Sequence, residues 1–141
     1  MRDQIIADAL AATPWAGWSK SAITGDASTR RYFRLTRNEL SAVIAMDDPA
    51  CATKSFADIA HFLTNAGFSA PDILHHDPTI GFMIIRDLGR TDFAAHLRTA
   101  PQDEATLYRT ATDILCNLHH QKTKIPLGVI DQSSAAGMID L

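Results

Sequence analysis

Residues 24–37 read Thr-Gly-Asp-Ala-Ser-Thr-Arg-Arg-Tyr-Phe-Arg-Leu-Thr-Arg, a tight-turn run that breaks directly into a strand-like run carrying Arg30, Arg31, Arg34 and Arg37. A glycine turn joining two strands leaves backbone N–H groups free to face an anion, and guanidinium groups beside it add charge and forked donors. Gly25 permits close approach, Ser28 offers a hydroxyl, and Arg30 or Arg31 can reach a phosphate. The same residues also read as a solvated hairpin whose arginines keep an edge strand from pairing with other chains. A single glycine with arginines is a weak signal, so both readings stand at this level.

Other stretches offer less. The pairs His75-His76 and His119-His120 look like metal ligands, but adjacent residues point apart on strands and helices, and one member of each pair is expected to pack while the other is exposed. Cys51 and Cys116 have neither metal nor redox spacing and read as reduced thiols. The chain contains no Walker-type Gly-x-x-x-x-Gly-Lys, no Gly-x-Ser-x-Gly elbow and no Cys-x-x-Cys.

The elements that must position the turn follow from periodicity. The 141 residues are 46% hydrophobic and 21% charged, ordinary for a globular chain long enough to bury a core. A net charge of −3 argues against general nucleic-acid affinity. The longest strongly apolar run, Phe82-Met83-Ile84-Ile85, is too short to span a membrane, and the start Met1-Arg2-Asp3-Gln4 does not resemble an export signal. The expected compartment is the cytoplasm. Ile5, Ile6, Ala9 and Leu10 share one helical face over residues 2–12, and Trp15 and Trp18 are expected to pin the next segment to the body. Residues 20–36 read as a hairpin, with Phe33 and Leu35 on one side of its second arm and Tyr32 and Arg34 on the other. A third strand follows at 41–47. A helix at 54–66 has Phe56, Ile59 and Leu63 as its expected core stripe and Gly67 as its cap. Strands near 72–76 and 81–86 complete an α+β pattern, an antiparallel sheet with one packed helix. Asp87-Leu88-Gly89-Arg90 is a polar break, after which residues 91–99 and 102–121 read as helical, with Leu107, Ile114 and Leu118 as a core stripe.

This order of elements, together with particular residues, resembles a known family. Gly25-Asp26-Ala27-Ser28-x-Arg30-Arg31-Tyr32-Phe33-Arg34 is similar to the signature of the aminoglycoside-phosphotransferase-like kinases. It most resembles the branch that phosphorylates bacterial cell-wall amino sugars at the anomeric position, the N-acetylmuramate/N-acetylglucosamine kinases. Met46-Asp47-Asp48-Pro49, Gly67-Phe68-x-x-Pro71 and Gly81-Phe82-Met83-Ile84-Ile85-Arg86-Asp87-Leu88-Gly89 stand at the family's positions and in its order. The resemblance implies a protein-kinase-like nucleotide-binding N-lobe over residues 1–88 and the hinge and first helices of a C-lobe over residues 89–141. It implies ATP and magnesium as cofactors and an amino sugar or aminoglycoside as acceptor. Gly25, Asp26, Ala27, Ser28 and Arg30 would then cover the phosphates. Ile44, Arg86, Asp87 and Leu88 would surround the adenine.

Two departures from the kinase pattern carry consequences. The third-strand lysine that grips phosphates falls at Met46, whose thioether carries no charge, so an arginine must supply it. Arg30 at the loop edge is the expected donor, with Arg31 packing beside Phe33, and Arg34 and Arg37 contributing little. After the long helix only Asp131 and Asp140 remain; five residues beyond Asp131 stands Ala136, and no histidine lies two residues before either aspartate. The base and the magnesium ligands of a His-x-Asp-x-x-x-x-Asn loop are therefore not in these residues. If the coding sequence continues into such a loop, the kinase reading holds. If it stops at Leu141, a non-catalytic nucleotide- or protein-binding module of the same fold is expected, dimerising through the face the second lobe would cover. The expected outcome for the 141-residue chain, purified and given Mg-ATP with N-acetylmuramate or an aminoglycoside, is no phosphorylated product above a no-protein control.

Overall fold

In the computed structural model, residues 2–23, 31–46 and 53–121 are described. Helix α1 (Arg2–Ala11) leads to strands β1 (Ser19–Ile23), β2 (Arg31–Arg37) and β3 (Leu40–Met46). Helix α2 (Thr53–Asn65) follows, then β4 (Ile73–Asp77) and β5 (Phe82–Arg86). The strands form one antiparallel sheet in the order β1-β2-β3-β5-β4. Local chemistry sets its turns. Asn38, at φ 55°, makes the two-residue link that places Arg37 opposite Leu40, a conformation asparagine tolerates better than most residues. Between β4 and β5 the Asp77 carboxylate accepts from the Thr79 N–H at 3.0 Å and from its hydroxyl, which holds that carboxyl below its usual range.

The sheet is apolar on both faces, and alternation divides its side chains into two cores. Phe33, Leu35, Ala42, Ile44, Phe82 and Ile84 make one core, and Val43, Ala45, Met83 and Ile85 the other. Helix α2 lies on the second face, with Phe56 packed against that cluster. Its buried residues are Thr53, Ala57 and Ala60, so the helix turns its small residues inward. Of the expected Phe56/Ile59/Leu63 stripe, Phe56 packs on the sheet, while Leu63 is half-buried and Ile59 is 37% exposed. Gly67, at φ 84°, caps α2: the Phe68 N–H reaches the Leu63 carbonyl at 2.9 Å, and the Gly67 N–H reaches Thr64 at 3.0 Å. That left-handed conformation suits glycine.

The α+β sheet with α2 on it agrees with the sequence pattern, but a second helix packs as well. Ile6 (0% exposed) and Leu10 of α1 join the core on the opposite face, with Trp15 and Trp18 in T-shaped contact 6.5 Å apart at its edge. Arg31 explains the docking. Its guanidinium donates to Asp3 of α1 at 2.6 Å and lies 5.1 Å from the centre of the Phe33 ring, while Lys20 lies 5.0 Å from the same ring. Arg31 thus packs beside Phe33, as the alternation of β2 requires.

Residues 88–121 belong to a second compact unit. It holds α3 (Phe93–Leu97), capped by Asp92 accepting from the Ala95 N–H at 2.6 Å, a 3-10 turn at Pro101–Asp103, and α4 (Glu104–His119). No residue of α4 is buried: Ile114 is 49% and Leu115 65% exposed, so its apolar stripe is not a core among the described residues. Amphipathic spacing specifies the need for a partner surface, not its presence.

Two tests follow for α1. Ile6→Ala should lower stability by about 2–5 kcal/mol in urea unfolding. The hydrogen bond and charge of Arg31 hold the Asp3 carboxyl below its usual 3.8, so its contribution is present above that value and is lost as pH falls through the depressed folded-state value. Acid titration of Trp15/Trp18 fluorescence should therefore show a transition that is shallower in Asp3→Asn.

Candidate functional site

The face covered by α2 gathers most of what the sequence singled out. Tyr32 and Arg34 of β2, Val43 and Ala45 of β3, and Met83 and Ile85 of β5 project from it by strict alternation. At one end of this face Ile23 and Tyr32 are directly paired, and both pack on its core. At the other end, Arg86 pairs with Ala42 and the chain leaves the sheet through Asp87.

At that second end sits an ion pair that joins residues 53 apart in sequence. Arg34 Nε donates to Asp87 Oδ2 at 2.6 Å, and Nη2 donates to Oδ1 at 3.0 Å. The side chains are 13% and 5% exposed. The hydrogen bond to Asp87, with its charge, raises the Arg34 pKa despite the opposing effect of burial. Arg34 is a rigid anchor because its backbone is paired with Ser21 on one side and Val43 on the other. The preceding residue is held the other way: the Arg86 N–H reaches the Asp72 carbonyl at 2.9 Å, and its guanidinium reaches the Asp72 carboxylate at 2.8 Å.

The residues expected at the site fall into three groups. Gly25, Asp26, Ala27, Ser28 and Arg30 lie outside the described residues. Arg86, Asp87 and Leu88 stand together where the chain leaves the sheet, with Leu88 68% exposed. Ile44 is a correction: it is 0% exposed in the core shared with α1, so its side chain has no surface to offer a ligand. Its neighbour Val43 faces the α2 side instead, directly paired with Ile85, and each keeps 7% exposure. Arg34 is the partner of Asp87, a role the sequence reading did not assign it. The charge of Arg34 and its place in the alternation were readable in the sequence; the partner 53 residues away was not. Val43 and Ala45 carry no charge, so the α2 face of β3 has no counterpart of a phosphate-gripping lysine.

Other candidates are accounted for locally. Asp58 pairs with Lys54 one helical turn away at 2.6 Å. Both His75 and His76 are half-buried, the first edge-on to Phe82 and the second 3.2 Å from the Thr53 hydroxyl, whereas His119 and His120 are both exposed. Among the described residues no three His, Cys, Asp or Glu side chains group as a metal site. None of the described helices is long and apolar enough to cross a membrane. An apolar groove of about 120 Å³ beside α2, lined by Phe56, Ile59, Leu63 and Pro71 among others, offers no titratable group.

Comparison with known proteins bears on this arrangement. Residues 21–131 match the phosphotransferase enzyme family, a span that takes in the whole sheet except the start of β1. The chain belongs to that family. It is 31% identical over 142 aligned positions to the N-acetylmuramate/N-acetylglucosamine kinase of Caulobacter vibrioides, covering 81% of this chain and 39% of the relative. It is 37% identical to the protein of the same description from Pseudomonas aeruginosa, over 65% of this chain and 27% of that one. For the one from Neisseria meningitidis serogroup B the figures are 34%, 48% and 20%. The matched region thus spans less than half the length of each relative.

The ion pair yields a direct test. Arg34→Ala or Asp87→Ala alone should cost about 2–4 kcal/mol in urea unfolding, because each leaves a charge desolvated without its partner. The double variant should cost less than the sum, with a coupling of about 1–3 kcal/mol.

Proposed function

We propose that residues 1–88 form the nucleotide-binding lobe of a small-molecule kinase that transfers the γ-phosphoryl group of ATP to an amino-sugar hydroxyl, and that the helices from residue 89 begin its second lobe. The observation that carries the reading is the family match over residues 21–131 together with the end of the sheet where Val43 is paired with Ile85 and the chain leaves through residues 86–88. A purine is flat and apolar on its faces and polar at its edge. In this reading the apolar end of the sheet meets its face, and backbone groups of residues 86–88 meet its edge. The phosphates then extend toward the 24–30 turn, where backbone N–H groups, Ser28 and Arg30 supply donors and charge. With no lysine on the α2 face of β3, an arginine beside the turn is the available cation.

The choice of amino sugar over other acceptors is supported by the printed descriptions of the three relatives. Acceptor binding, the catalytic base and the magnesium ligands are assigned to segments other than the described residues. Magnesium, once bound with ATP, supplies charge neutralisation at the phosphates. The cytoplasm, where ATP and recycled amino sugars meet, is the compartment this reading requires.

In the full-length gene product, calorimetry with a non-hydrolysable ATP analogue should show binding. Arg30→Ala should weaken it by about 1–3 kcal/mol, the range for a charge-assisted contact. Arg37→Ala, at the far end of β2, should leave it nearly unchanged. Equal small losses in both would mean that the arginines act only as a diffuse positive field.

A further inference from the structure

We infer that the Arg34–Asp87 pair is a positioning clamp that sets base selectivity, holding the backbone of residues 86–88 as a rigid edge that prefers adenine. The inference rests on the nucleotide reading above. Three observations converge on it. Asp87 ends the run Met1–Asp87 of one compact unit and Leu88 begins the other, so the carboxylate belongs to the last residue before that boundary. Its carboxylate is gripped through two hydrogen bonds, at 2.6 and 3.0 Å, by a guanidinium rooted in a strand that is paired on both sides. Arg86 is tied to Asp72 by both backbone and side chain, so two successive residues are fixed to different parts of the sheet.

The chemistry of the pair also bears on which base fits. A bidentate pair uses both carboxylate oxygens of Asp87, and a free carboxylate is the group best able to accept from the N1–H and amino group of guanine. While Arg34 holds Asp87, the base edge meets backbone N–H and C=O groups instead. These suit the donor and acceptor of adenine only when their positions are fixed, since small misplacements of an orienting group cost large factors. Arg34 and Asp87 are thus positioning residues that act through the backbone of the chain they anchor.

The test compares non-hydrolysable ATP and GTP analogues and inorganic tripolyphosphate, by calorimetry on the full-length gene product well below its melting temperature. Arg34→Met and Asp87→Asn should weaken the ATP analogue by about 10- to 100-fold. They should leave tripolyphosphate within about twofold of wild type, so that the ATP-to-GTP preference collapses. Arg34→Lys keeps the charge but not the fork and should fall between. Asp3→Asn, which breaks an ion pair on the opposite face, should retain the wild-type ratio. Loss of ATP and GTP analogue binding in parallel, or lower melting temperatures with an unchanged ratio, would overturn the clamp while leaving the nucleotide reading intact. If Arg34→Met does not fold, Arg34→Lys decides: a folded Arg34→Lys protein with the wild-type ratio overturns the inference. A wild-type protein that binds the ATP analogue no better than tripolyphosphate would remove the nucleotide reading, and the clamp with it.

Discussion

Strands β3 and β5 are apolar on both faces, and the rest of the described fold answers the need to cover both. Ile44, Phe82 and Ile84 on one side and Ala45 and Met83 on the other are all at or below 1% exposure. Burial of this kind requires a layer on each side of the sheet. Helix α1 supplies one layer with Ile6 and Leu10, and α2 supplies the other with Ala57, Ala60 and Phe56. The two faces carry different sets: Phe33, Leu35, Ala42, Ile44, Phe82 and Ile84 on the α1 side, and Val43, Ala45, Met83 and Ile85 on the α2 side. A slip of one residue in β3 would exchange these sets and spoil both fits.

Against this apolar background the Arg34–Asp87 pair is conspicuous, because ions removed from water are costly and their mutual attraction only partly offsets the cost. Two well-directed hydrogen bonds supply part of the balance. The remaining effect is geometric: the pair ties the exit of β5 to the middle of β2, across β3. The contrast with Arg31 and Asp3 is instructive. That pair is also 2.6 Å long, but its side chains are 41% and 75% exposed, so solvent screens it and its role is to orient α1. Similar residue types on opposite faces of one strand do different work because their burial differs.

Membership of the phosphotransferase enzyme family gives the sheet a context. Val43 and Ala45 carry no charge, so on the α2 side β3 contributes apolar surface and the Arg34–Asp87 pair contributes charge.

Much of the architecture was legible in the residues themselves. Alternation in Tyr32–Leu35, the helical spacing after Thr53, Gly67 as a cap and the polar break at Asp87 are local signals, and local sterics and hydrogen bonding suffice to read them. Alternation even assigned Arg31 to the side of Phe33. What the sequence could not decide was which apolar faces would meet. It did not show that α1 would cover the second face, that Ile44 would be sealed beneath it while Val43 faced α2, or that the small face of α2 would turn inward. Nor did it show that Arg34 would find Asp87 rather than solvent. Each of these depends on contacts between residues far apart in the chain, and such contacts are set by the closing of the sheet and the packing of both helices onto it, not by the preferences of any one segment.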